Sequence, residues 1–350
     1  MKGIIIGFGN MGQNHLERYK KLDTDIIAII DNDEAKRKLA EGHGIKTYAT
    51  LDQCLEDSTN HIDFIDVCLP TNLHFPTLEK IILIFANSPV PIIVEKPVVR
   101  TAEEADKLDE LAKHYKQIVF VAEVEHYNKR ITDFYQSVPN PSHIKLSRKV
   151  NLNYFRGETI PWFLDINLSG GIILDLMIHD FSLLDNQLGP AKLLDGRFKH
   201  LKFMGPDEVT VTLEYPQSNC NAEIMGSWLS TDIEHPIITT IEITDTKRIK
   251  HSLVVDDYMI RGSMLDKDDP YYVELRTFLD AAKNKQLPHS LNEYTRVVRL
   301  ANDIIKLAAT KEPSLQSMHF QSVQQLEIKD NSASTQLDTA KPLIGLNNIV

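Results

Sequence analysis

Apolar residues follow two different rhythms along this chain. From residue 2 to about 124, short unbroken apolar runs alternate with stretches in which apolar positions recur every three or four residues. The runs "GIIIG" (3–7), "DIIAIID" (25–31), "HIDFIDVCL" (61–69), "PIIVE" (91–95) and "QIVFVAE" (117–123) are rich in β-branched residues and read as strands buried on both faces. Between them, "GQNHLERYKKL" (12–22), "DEAKRKLAEG" (33–42), "FPTLEKIILIFA" (75–86) and "TAEEADKLDELAKHY" (101–115) read as amphipathic helices. Such alternation predicts a doubly wound parallel sheet.

After residue 125 the pattern changes. One helical stretch, "SGGIILDLMIHDFSLLDNQLG" (169–189), is followed by alternating runs at 207–215, 221–229, 238–244 and 250–256 with no helices between them. This predicts an α+β domain with an open, mostly antiparallel sheet. Two further helices are expected at 271–284 and 292–310. The division is then 1–124 for the doubly wound domain and 125–312 for a substrate-binding and oligomerisation domain whose last helices can pack back on the first, with a polar tail over 313–350 to which no role is assigned.

"GIIIGFGNMG" places Gly7, Gly9 and Gly12 in GxGxxG spacing between a strand and a helix. Such glycines allow a tight turn, close approach of backbone to a pyrophosphate and close helix–strand packing, and the helix N-terminus offers its free amides to the anion. Asp31 ends the second strand 19 residues after Gly12, where a carboxylate can accept hydrogen bonds from a ribose diol. It would repel a 2′-phosphate, and the next residues are Asn32 and Asp33 rather than an arginine, so NAD is favoured over NADP.

Ligands of open α/β sheets bind beyond the carboxyl ends of the strands. "CLPTNLH" (68–74) and "EKP" (95–97) end the fourth and fifth expected strands, so Thr71, His74, Glu95 and Lys96 face one crevice. A lone histidine at a helix start serves as a cap or as a support near the nicotinamide. Pro97 pushes Lys96 toward an extended backbone and permits a cis bond. Physics alone leaves Lys96 open between an exposed loop residue and a functional group, and Glu95 open between a cofactor contact and a local pair. In "GGIILDLMIHD", Asp175 and His179 are four apart and project from one face of a very apolar helix. A surface ion pair would look the same, but a histidine held by a carboxylate is a usable general base near neutral pH.

Composition narrows the partners. A 350-residue chain with 42% hydrophobic and 25% charged residues suits two globular domains, and its formal charge of −11 disfavours nucleic acid. No apolar run is long enough to span a membrane. The polar Asn10, Gln13 and Asn14 interrupt what a signal peptide would need, and three widely spaced cysteines encode neither a disulfide framework nor a thiolate metal site, so a cytoplasmic protein without metal is expected.

Taken together, GFGNMG, PTNLH, EKP and GGIILDLMIHD resemble, in order and spacing over roughly residues 1–310, the Gfo/Idh/MocA family of NAD(P)-dependent oxidoreductases. The resemblance implies a Rossmann domain and a second domain that often forms a homodimer or homotetramer interface. It places Gly7, Gly9, Asn10, Met11, Gly12 and Asp31, then Pro70, Thr71, His74, Glu95 and Lys96, at the cofactor. It also implies Lys96, Asp175 and His179 as the catalytic set: His179 removes a hydroxyl proton, Asp175 orients or stabilises the imidazolium, and Lys96 steadies the alkoxide. The expected activity is hydride transfer between nicotinamide C4 and a ring secondary alcohol of a sugar, sugar phosphate, nucleotide sugar or cyclitol. The alternatives are a non-catalytic dinucleotide-binding regulator and a redox-neutral enzyme with retained NAD. His126, Lys129, Phe163 and Ser182 depart from the commoner family pattern and leave the substrate open.

Overall fold

A computed structural model of the chain describes residues 1–57, 61–152, 166–201, 205–256 and 269–311. Phe163 and the polar tail lie outside the described residues. Met1–Ala308 form one compact unit; in the second, Ala309–Val350, the described part is the end of the last helix.

The first sheet is assembled from β1 (Lys2–Ile6), β2 (Asp25–Ile30), β3 (Lys46–Tyr48), β4 (Phe64–Val67), β5 (Ile92–Glu95) and β6 (Val119–Ala122). The intervening helices are α1 (Asn10–Lys21), α2 (Glu34–Glu41), α3 (Leu51–Asp57), α4 (His74–Ile84) and α5 (Ala102–Tyr115). All pairings are parallel, in the order β3-β2-β1-β4-β5-β6. Because strands are added in opposite directions from β1 and from β4, the loops after these two strands diverge and open a crevice between them. The pleat sends alternate residues to opposite cores. Ile4, Ile6, Ile65 and Val67 pack with Leu78 and Leu108 of α4 and α5, whereas Ile5, Phe64, Ile93 and Phe120 pack with Leu16 and Tyr19 of α1. Five strands and four helices coincide with the sequence pattern. The three-residue β3 and the adjoining α3 are too short to show a period.

The second sheet runs β12-β11-β7-β10-β9-β8, with β7 (Pro141–Val150), β8 (Lys192–Lys199), β9 (Glu208–Tyr215), β10 (Cys220–Ser227), β11 (Ile237–Asp245) and β12 (Lys250–Asp256). Only the β7–β10 pairing is parallel. The central β7 escapes the hydrophobic pattern because its inward series, Ile144, Leu146, Arg148 and Val150, includes an arginine.

The single helix expected over 169–189 is three segments: α7 (Ile166–Ser169), α8 (Gly171–Asp175) and α9 (Ile178–Leu188), preceded in the chain by α6 (Lys129–Ser137). Gly170 and Gly171, at φ +79° and +60°, interrupt the first junction, and a turn at Leu176–Met177 interrupts the second. Two last helices, α10 (Pro270–Asn284) and α11 (Leu291–Lys311), return to the first sheet. Phe278 of α10 packs against Phe64 and Phe120 with ring centroids 5.4 and 5.5 Å away. From α11, Arg299 reaches Asp106 and Asp109 on α5, and Arg296 reaches Asp185 on α9. No helix among the described residues is long and apolar enough to cross a membrane.

Candidate active site

The glycine turn between β1 and α1 divides its work. Gly7 has φ +94°, and a Cβ there would lie 2.4 Å from the Cys68 carbonyl oxygen; one on Gly12 would lie 2.1 Å from the Gly7 oxygen. Both are fixed by packing. Gly9, the N-cap of α1, is different: a Cβ there would meet nothing within 4 Å. Its bareness preserves open space above the helix N-terminus, where Asn10 and Met11 form a first turn with no acidic residue and no side-chain cap. A pyrophosphate fits this surface of uncapped amides.

Asp31, at the end of β2, is buried, and its Oδ2 accepts the Phe8 N–H at 2.7 Å while Oδ1 accepts the Asp33 N–H at 2.9 Å. These bonds tie the carboxylate to the glycine turn and leave further lone pairs for a ribose diol. Arg37 folds back from α2, but its Nη1 donates to the carbonyl oxygens of Asp31 and Asn32 at 2.8 and 3.0 Å.

Across the crevice, Pro70 and Thr71 open a short 3₁₀ turn after β4, with Thr71 buried. His74 is also buried, and its Nδ1 and Nε2 each lie 2.8 Å from a backbone oxygen, of Pro97 and Leu69 respectively. Burial holds its pKa below the usual value, so the neutral ring donates one of these bonds. His74 thus sits between the loops that follow β4 and β5.

Glu95 and Lys96 part company at the end of β5. The Lys96–Pro97 bond is cis. Glu95 turns inward, with Oε1 3.2 Å from His15 Nε2, while His15 Nδ1 lies 2.9 Å from Asp66 Oδ2. Tyr19 donates to the same Asp66 oxygen at 2.9 Å, and the Cys68 thiol to Asp66 Oδ1 at 3.2 Å. Burial opposes a charge on His15, but the surrounding Cys68 and Asp66 outweigh it and raise its pKa. Of the two places open to Glu95, the structure shows the local pair. Among the described residues, His15, Asp66 and Cys68 form a cluster of metal-ligand type. Their donor atoms are already mutual partners, and burial pushes the Cys68 thiol pKa up, whereas a metal needs the thiolate.

Lys96 points outward, and its Nζ donates to the Asp175 carbonyl oxygen at 2.7 Å and lies 3.4 Å from Asp175 Oδ1. This contact joins the first sheet to α8. The expectation that Asp175 orients His179 on one helix face meets a different geometry: the Leu176–Met177 turn separates the helices that carry them. The carboxylate hydrogen-bonded to His179 Nδ1 is Glu123, from the end of β6. Glu123 is 1% exposed, and burial pushes its pKa up to about 7 against the opposing pull of His126 and Lys96.

Glu123 was not among the residues expected from sequence. The available signal was the one that singled out Glu95 and Lys96, a charge closing an apolar run, here "QIVFVAE". Arg148 was missed with β7. Its guanidinium, 2% exposed, holds Asp180 through Nε and Nη2 at 3.0 and 2.8 Å and Glu125 through Nη1 at 3.0 Å; Asn128 Nδ2 donates to the other Glu125 oxygen. Two of the departures from the family pattern meet here: Ser182 Oγ lies 2.9 Å from His126 Nε2, and burial drives the His126 pKa down to about 4.

Comparison with known proteins agrees with this fold. Residues 1–123 match the family model GFO_IDH_MocA, described as an oxidoreductase family with an NAD-binding Rossmann fold. The chain is 24% identical over 311 residues to the myo-inositol 2-dehydrogenase of Thermotoga maritima, covering 81% of this chain and 89% of that protein. It is 22% identical over 183 residues to the UDP-N-acetylglucosamine 3-dehydrogenase of Acidithiobacillus ferrooxidans, covering 52% and 53%. The crystal structure of GenD2 from gentamicin A biosynthesis in complex with NAD superposes with a TM-score of 0.75 at 19% identity, covering 88% of this chain and 94% of that one, which shows the shared fold. Residues 1–123 thus match the NAD-binding Rossmann domain of the Gfo/Idh/MocA oxidoreductase family.

Proposed function

We propose that the chain is an NAD-dependent dehydrogenase that moves a hydride between nicotinamide C4 and a ring secondary alcohol or ketone of a sugar, sugar phosphate, nucleotide sugar or cyclitol. The observation that carries this reading is the hydrogen bond from Lys96 at the end of β5 to Asp175, with the uncapped α1 terminus on the same edge of the sheet. NAD, when bound, supplies the hydride acceptor or donor. His179 is the base that takes the hydroxyl proton. The Lys96 ammonium stabilises the developing alkoxide, and Asp175 fixes that ammonium in place. The curated relatives named as myo-inositol and UDP-N-acetylglucosamine dehydrogenases support a polyhydroxylated ring as substrate.

NADH absorbance, followed with sugars, sugar phosphates, nucleotide sugars and cyclitols, tests the reading. Lys96→Ala should lower turnover of the best substrate by at least ~100-fold while leaving NAD affinity within about threefold, since the ammonium acts on the transition state. Undiminished turnover in this variant would reject the assignment; NAD binding without redox turnover of any candidate would favour a regulator or a redox-neutral enzyme. The outer face of the second sheet, with Lys145, Thr240 and Glu242 exposed or half-buried, is the proposed homodimer or homotetramer surface. Three buried, unpaired cysteines support placing the activity in the cytoplasm.

A further inference from the structure

We propose that Glu123 is the positioning residue of the site, holding His179 in the tautomer with its proton on Nδ1 so that Nε2 faces the substrate as a base. The inference rests on the dehydrogenase reading for its catalytic consequence, but the geometry behind it is independent of any substrate. Glu123 Oε1 is hydrogen-bonded to His179 Nδ1, and both residues are buried. A buried carboxylate facing an imidazole nitrogen selects the tautomer that donates to it, and it stabilises the imidazolium when the other nitrogen gains a proton. During oxidation the substrate O–H proton passes to Nε2 and the C–H electron pair leaves as hydride to NAD. The Nδ1 proton stays between His179 and Glu123.

The surroundings make this pair sensitive to pH. Glu123 is faced by His126, Glu125 and Tyr127 from the turn after β6, Lys96 from β5, Arg148 from β7, Asp180 from α9, Glu274 from α10 and Tyr294 from α11. Burial raises the Glu123 carboxyl to about 7 even against the pull of His126 and Lys96. Below about pH 7 a protonated Glu123 would donate to Nδ1 and leave the histidine proton on Nε2, the wrong face for a base. Alcohol oxidation should therefore weaken as pH falls through this range. Ketone reduction, which needs the extra proton, should strengthen.

The decisive variant is Glu123→Gln, which keeps the size and an oxygen for Nδ1–H but removes the charge. We expect oxidation kcat to fall by about 100-fold or more, with KM within about threefold, loss of the neutral-range limb of the pH profile, and partial recovery in Glu123→Asp. Histidine nitrogen NMR of the substrate-free protein should show Nδ1 of His179 protonated in the wild type and its titration displaced in Glu123→Gln. An unmoved pH profile together with an unmoved His179 titration overturns the proposal. If the wild type oxidises no ring alcohol, the dehydrogenase reading fails, and the NMR result still decides whether Glu123 sets the tautomer. Should Glu123→Gln not fold, Glu123→Asp carries both measurements: a displaced titration and pH limb support the proposal, and unmoved ones overturn it.

Discussion

A methyl group added at Gly7 would force a left-handed backbone onto an alanine and press on the Cys68 carbonyl, whereas one added at Gly9 would enter empty space. Gly7→Ala should therefore lose about 2 kcal/mol or more of stability in urea titration, through backbone strain and overpacking. Gly9→Ala should melt within about 2 °C of the wild type yet bind NAD at least ~10-fold more weakly, measured calorimetrically. Equal melting losses in the two variants would remove the distinction. The glycines, Asp31 and Lys96 were legible in the sequence because their meaning is local: each sits at a strand end, and the strand is visible in the pattern. Glu123 and Arg148 were not, because what defines them is a partner far along the chain, His179 at 56 residues and Asp180 at 32. The surroundings of His74 are likewise non-local, since the two carbonyls beside it come from separate loops.

At the level of elements, the turn Val124–Tyr127 and helix α9 face each other through three contacts of different character. Glu123 meets His179, Glu125 meets Asp180 through Arg148, and His126 meets Ser182. A neutral imidazole and a hydroxyl meet here at two positions that depart from the commoner family pattern. Ser182→Asp alone would bury a carboxylate beside an uncharged ring and should cost about 2 kcal/mol. Adding His126→Arg should restore much of that loss, with a coupling of about 1–3 kcal/mol in a double-mutant cycle by denaturant titration. Additive effects would mean that the two positions do not form a pair. The stretch 169–189 also shows where periodicity deceives: apolar residues recur through 172–184, so the pattern could not reveal the turn at Leu176–Met177 that separates Asp175 from His179.

Over the whole molecule, one hydrophobic core runs from the first sheet into the second, from Ile65 and Val94 to Leu146 and Ile224. The last two helices then close on the first sheet. Phe278 is fully buried between Phe64 and Phe120, and truncation to alanine should cost about 3–5 kcal/mol. Because the core is shared, calorimetry of the full chain should show this variant unfolding at a lower temperature in one transition; a split into two would mean that the sheets unfold independently. The class of each sheet was legible in the rhythm of apolar residues, while the strand order of the second was not, because its central strand carries Arg148 inward. That burial of an arginine between Glu125 and Asp180, together with the Lys96–Asp175 and Glu123–His179 bonds, bears on how such chains can be recombined. A crossover placed between α6 and β7 would separate Lys96 from Asp175, Glu123 from His179 and Glu125 from Arg148. Inheritance of a new second half is therefore coupled to strand ends of the first, and a unit of exchange that keeps these pairs together begins upstream of Lys96.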